Sequence, residues 1–247
     1  EFRRVLFRSR PLSETGARPG SSRSARRLVD ADAAACDGAG VPKAPTTPTT
    51  PTPVPSPGRD CSLCPRLVAF RHEARAAHPD WWNAPVPSFG PMEARLLIVG
   101  LAPGMQGANR TGRPFTGDGA GELLYPMLLK HGLARGTYRA EPGDGLELVD
   151  CRISNSARCV PPENKPTPAE VRTCTGAYLR DEIAAMDNLR VILALGRIAH
   201  DAVSRTLGCK PLPEFGHGNI HALERATDRK STRLNSSHVA LSRMPSS

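Results

Sequence analysis

Two short apolar runs, each closed by a glycine, constrain the fold of this 247-residue chain more than any other feature. Ala94 to Val99 reads Ala-Arg-Leu-Leu-Ile-Val and runs into Gly100; Val191 to Leu195 reads Val-Ile-Leu-Ala-Leu and runs into Gly196. Such continuous apolar runs suit strands covered on both faces, as in a parallel sheet. Leu146 to Ser154 alternates more and predicts a third strand. Helical patterns lie between the strands. Gly119 to His131 is one, despite Pro126. Thr167 to Ala185 opens Thr-Pro-Ala-Glu, a cap, a first-position proline and a third-position acid. Ile198 to Leu207 is another. Strands alternating with helices predict an α/β fold, a three-layer α/β/α sandwich, in which ligands bind beyond the carboxyl ends of the strands.

The ends of the chain read differently. Residues 10 to 57 are rich in Ser, Arg, Gly and Ala and then, from Pro42 to Pro57, in proline alternating with threonine and valine. That composition favours extended geometry and buries too little apolar area to fold, so 1–57 is expected to be a disordered arm. Residues 1–9 and 227–247 resemble translated adapter or vector sequence and are set aside from fold reasoning. The folded domain is expected over 58–226, with its natural C-terminal part missing.

The net charge of +9 is spread along the whole chain, and residues 58–226 carry 20 basic against 18 acidic side chains. Bulk charge therefore gives no argument for a nucleic-acid partner, and a local basic patch has to supply one. No stretch approaches the roughly 20 apolar residues needed to span a bilayer, so a soluble, cytoplasmic protein is expected. Seven cysteines, an odd number, argue against a secreted disulfide framework. Cys61 and Cys64 form a Cys-x2-Cys pair, and Cys159 and Cys174 arrive from a distant segment. Thiolates so arranged suit one metal centre that staples the two segments together, either zinc or an iron-sulfur cluster.

The segment from Gly100 to Gly121 is unusually rich in glycine. It lacks both Gly-Lys-Ser/Thr and Gly-x-Gly-x-x-Gly, so a nucleotide-phosphate loop is a weak reading. Asp118 suits a helix cap. Phe115, set in a polar loop, suits stacking on a planar base as well as it suits a core anchor.

Gly100-Leu-Ala-Pro-Gly, then Gly-Ala-Asn-Arg-Thr-Gly-Arg-Pro-Phe-Thr-Gly-Asp, then Ser154-Asn155-Ser-Ala-Arg-Cys159-Val-Pro-Pro162, and Leu195-Gly196-Arg197-Ile-Ala together resemble the uracil-DNA glycosylase superfamily, and within it the iron-sulfur family 5 enzymes. The likeness runs from about Cys61 to about Leu223. It implies a central, mostly parallel four-stranded sheet whose last strand is missing here, and a [4Fe-4S] cluster held by Cys61, Cys64, Cys159 and Cys174. It makes Asn155 the residue that reads the edge of an everted uracil, Phe115 the ring that stacks on it, and Ala102 part of the base pocket. Where other branches carry a carboxylate or amide to position water, this chain has Leu101 and Ala102. Asn109 and Asp118 are then the candidates for orienting that water, and Arg110, Arg113, Lys165 and Arg197 for contacting DNA phosphates.

The resemblance further implies a base-excision enzyme, acting as a monomer on DNA that contains uracil or other deaminated bases. A non-catalytic iron-sulfur DNA-binding module of the same fold is the alternative. The family's later histidine motif is not found after Thr227, and His217 does not replace it, so little activity is expected from this chain.

Overall fold

The computed structural model describes residues 56–224 and 236–242, the latter and 222–224 as backbone. The arm expected over 1–57 lies almost wholly outside the described residues, as do 225–235 and 243–247.

Helix α1 (Pro65–Ala77) begins at a proline directly after Cys64. Strand β1 (Leu96–Gly100) leads into the glycine-rich loop, which contains the single turn α2 (Ala108–Thr111) and ends at α3 (Gly119–Lys130), capped by Asp118. A small antiparallel ribbon of β2 (Ala134–Arg135) and β3 (Glu147–Leu148) follows, then β4 (Cys151–Asn155). Next come α4 (Pro168–Cys174), a π-helical turn over Thr175–Leu179, and α5 (Arg180–Ala185). The expected capping box is present, with Thr167 and Glu170 satisfying each other's amides. Strand β5 (Val191–Leu195) and helix α6 (Arg197–Thr206) precede β6 (Ile220–Glu224) and β7 (Ser236–Ser242).

The main sheet has the order β4-β1-β5-β7-β6. The first four run parallel and β6 is antiparallel to β7. Leu97 and Val99 of β1 pack on Leu179, Ile183, Met186 and Val203. Ile98 faces the other way, into a core with Leu124, Tyr125, Leu128 and Ile153. Both faces of β1 are therefore covered by helices, which is the three-layer arrangement, and the continuous apolar run is its consequence.

Two expectations change. The fourth parallel position, expected to be empty, is taken by β7, whose His238 to Ser242 pair with Val191 to Leu195. The unpaired carbonyl and amide groups of a β5 edge are satisfied by that pairing. The run from Leu146 to Ser154 forms two strands in different sheets. Asp150 breaks it with a left-handed φ of 54° while its carboxylate accepts the Arg95 amide at 2.7 Å. Among the described residues no helix is long and apolar enough to cross a membrane.

Candidate active site

Gly100 closes β1 and stands level with Asn155, the last residue of β4. Beyond them the two segments stay paired, because the amides of Ser156 and Ala157 donate to the carbonyls of Gly100 and Leu101 at 2.8 and 2.9 Å. Asn155 thus reaches the carboxyl end of the sheet from a rigid ladder. The glycine-rich loop brings Phe115 back to the same point. A β-carbon on Gly100 would run into both the Phe115 ring and Asn155 Oδ1, so only glycine lets ring and amide meet there. Asn155 Oδ1 is buried with no hydrogen-bond partner in the protein. Leaving such an acceptor unpaired costs about 1–3 kcal/mol, which a ligand donor would recover. Leu101 and Ala102, half-buried, continue the loop and bring no ionisable group to it.

Asp118 caps α3, one oxygen accepting the Gly121 amide at 2.9 Å. Its other oxygen lies against Gly107, where a β-carbon would come within 2.6 Å of it. Burial pushes the carboxyl above its ordinary value, against the pull of the Gly121 and Ala120 amides. Asn109 lies in α2 of the same loop. It is buried, and its amide nitrogen donates to Asn83 Oδ1 at 2.9 Å and contacts Met105 Sδ at 3.6 Å. Those bonds hold its amide nitrogen inside the loop.

Arg110, Lys165 and Arg197 are exposed. Arg110 is steadied by the Gln106 carbonyl at 2.9 Å, Lys165 pairs with Glu163 at 3.1 Å, and Arg197 opens α6 beyond β5. Arg113 departs from the expected phosphate contact. It is buried, with both terminal nitrogens on the Asp144 carboxylate at 2.8 Å, so no free edge is left for DNA.

The four cysteines line one cavity, together with Leu67, Arg71 and Tyr178. Cys64 caps α1, Cys174 ends α4, and Cys159 lies on the loop that leaves Asn155. The Arg158 amide approaches Cys174 Sγ at 3.3 Å, Arg71 reaches Cys159 Sγ at 3.7 Å, and the Tyr178 hydroxyl lies 3.4 Å from Cys61 Sγ. Burial pushes the Cys159 thiol up to about 12 and the Cys174 thiol up to about 11. Among the described residues no three metal-binding side chains close around a single ion. Zinc held at about 2.3 Å by four thiolates would need that tighter grouping.

Sequence reasoning missed the residues that brace this region. Glu182 is buried under β4 and accepts from Arg152 at 2.6 Å, Arg158 at 2.6 Å and Ser154 at 3.0 Å. Burial opposes its charge, but Arg158 and Arg152 hold its carboxyl below the ordinary value. Arg71 left one signal in the sequence: with Leu67 and Ala74 it lies on the buried stripe of α1. His238 stands in register with Val191, at the amino end of the sheet and away from this cleft. His217 precedes β6, at the opposite edge from β4, four strand spacings or about 19 Å across.

The sequence pattern of the uracil DNA glycosylase superfamily matches residues 87–246, well over half of the chain. The chain belongs to the uracil-DNA glycosylase superfamily. It is 47% identical over 169 residues to the type-5 uracil-DNA glycosylase of Thermus thermophilus, covering 76% of that protein. The type-5 uracil-DNA glycosylases of Mycobacterium bovis and Pyrobaculum aerophilum are 43% and 39% identical, with 64% and 72% of their lengths covered. In each case 65–66% of this chain takes part.

Proposed function

We propose that this protein is a DNA base-excision glycosylase that hydrolyses the N-glycosidic bond of uracil, and of other deaminated bases, everted from duplex DNA. The observation that carries the reading is the meeting of the Phe115 ring with the unpaired, buried Asn155 Oδ1 over Gly100. A flat face beside an orphaned amide acceptor suits a pyrimidine that stacks on one and offers an N–H to the other. The type-5 glycosylase names of the relatives support the same substrate.

Bond cleavage in such a site follows a dissociative course. The deoxyribose becomes oxocarbenium-like, the departing uracil leaves as an anion steadied by fixed donors, and water adds to the sugar carbon. With Leu101 and Ala102 uncharged, Asp118 is the carboxylate nearest this chemistry on the glycine-rich loop. Its oxygen facing Gly107 is the one that would orient a water. Arg110, Lys165 and Arg197 contribute phosphate contacts at the rim.

Cys61, Cys64, Cys159 and Cys174 would hold a [4Fe-4S] cluster. Four sulfurs on one cavity wall, with no three close enough for a single ion, fit a multi-iron group better than zinc. When bound, it would tie the turn before α1 to the loop that follows Asn155.

The test is uracil release from a uracil-containing duplex by anaerobically purified protein, with iron analysis alongside. Free uracil and a brown, iron-loaded sample are expected, in place of the little activity the sequence alone suggested, because β7 fills the parallel position beside β5. DNA binding without uracil release would favour a non-catalytic module, and colourless, zinc-loaded protein would remove the cluster.

A further inference from the structure

Phe115 has a backbone φ of 51°, a left-handed conformation that a bulky residue adopts only when its surroundings enforce it. Its flanks show the enforcement. The carbonyl of Pro114 accepts the Tyr125 hydroxyl at 2.5 Å, and the carbonyl of Phe115 accepts the Tyr138 hydroxyl at 3.5 Å. On one side Arg113 and on the other Thr116 are joined to each other, Nε to Oγ1 at 2.7 Å. Arg113 is then gripped by Asp144 through two parallel 2.8 Å bonds, with the guanidinium packed among the rings of Phe89, Tyr125 and Tyr138 at 5.4–5.9 Å. Asp144 is itself fixed by the amides of Arg139 and Leu146 at 2.9 and 3.0 Å. Every polar atom of this clamp is engaged in the protein's own interior, and the loop residue left outside it is the ring that stands over Gly100.

We propose that Asp144 is a positioning residue for base excision: its bidentate grip on Arg113 locks the left-handed turn that aims the Phe115 ring at the everted base. The inference rests on the reading of Phe115 as the stacking face. Asp144 touches neither DNA nor the reacting atoms, and acts only through the ring. Arg113, a basic residue in a DNA-repair enzyme, thereby serves the geometry of the pocket and not the phosphates.

The test is a double-mutant cycle on the full chain, read as the single-turnover rate of uracil release and as affinity for an undamaged duplex. Asp144→Asn removes the charge at nearly constant volume. Arg113→Lys keeps the charge and loses the two-pronged geometry. Each is expected to slow release at least tenfold while undamaged-duplex affinity stays within twofold. In a Phe115→Ala background, already slow, each is expected to cost less than a further twofold. Undiminished release in both single variants, or losses that multiply in full with Phe115→Ala, would overturn the proposal. So would failure of both variants to fold, since the pair would then serve the core as a whole. Failure of the stacking reading shows separately, as an unimpaired Phe115→Ala.

Discussion

The Phe115 ring and the Asn155 side-chain oxygen flank the same point in space, each within about 2.5 Å of where a β-carbon on Gly100 would stand. One residue comes from a loop and the other from a strand end, and their meeting marks the proposed base site. Gly100→Ala should therefore push both aside while β1 keeps its pairing. Displacements of about 1 Å cost roughly 100-fold in rate. We expect uracil release to fall by that factor, with far-ultraviolet circular dichroism unchanged. A full rate in Gly100→Ala would mean that ring and amide are not jointly required.

Asp118 gives the pH dependence. Burial raises its carboxyl above the ordinary value, so it ionises later than a surface aspartate as pH rises. If the ionised form orients water, the rate should climb with pH through that raised value and level off above it. Asp118→Asn should flatten this limb and lower the plateau about 100-fold. A rate profile whose acidic limb survives the substitution would assign that limb to another group.

The salt dependence of DNA affinity separates the four basic residues. Neutralising Arg110, Lys165 or Arg197 should each reduce the slope of log affinity against log salt by about 0.9. Changing Arg113 should leave the slope alone, because its charge is spent on Asp144. A slope that falls when Arg113 is neutralised, as in Arg113→Gln, or that falls with none of the other three, would contradict this division.

That division was not legible in the sequence, and the reason is physical. Arg113 looks like a solvated cation among glycines, and the carboxylate that buries it lies 31 residues downstream in a loop. Asp150 likewise hid the break between β3 and β4, since its left-handed turn depends on the distant Arg95 amide. The π-helical turn at Thr175–Leu179 was also invisible inside an otherwise regular helical pattern. Local signals were read well where local physics decides. The run Val191 to Leu195 is β5 to the residue, and Asp118 and Thr167 both cap helices. The cysteine spacing pointed to one shared cavity, whereas Arg158 and Glu182 near it are known only from packing.

Cys159→Ser should separate the scaffold from the chemistry. Losing one of four ligands to a cluster should remove the visible absorption. At roughly 2–4 °C per kcal/mol for a domain of this size, the loss of several kcal/mol should lower Tm by about 10 °C or more. An unchanged Tm and spectrum would show that Cys159 does not ligate a cofactor.

The most direct measurement is single-turnover uracil release with Asn155→Ala, compared with the parent chain on the same uracil-containing duplex. Removing a fixed hydrogen-bonding group from such a pocket costs about 100- to 1,000-fold. The account predicts a loss of that size with duplex affinity nearly intact. Release at the parent rate would contradict it.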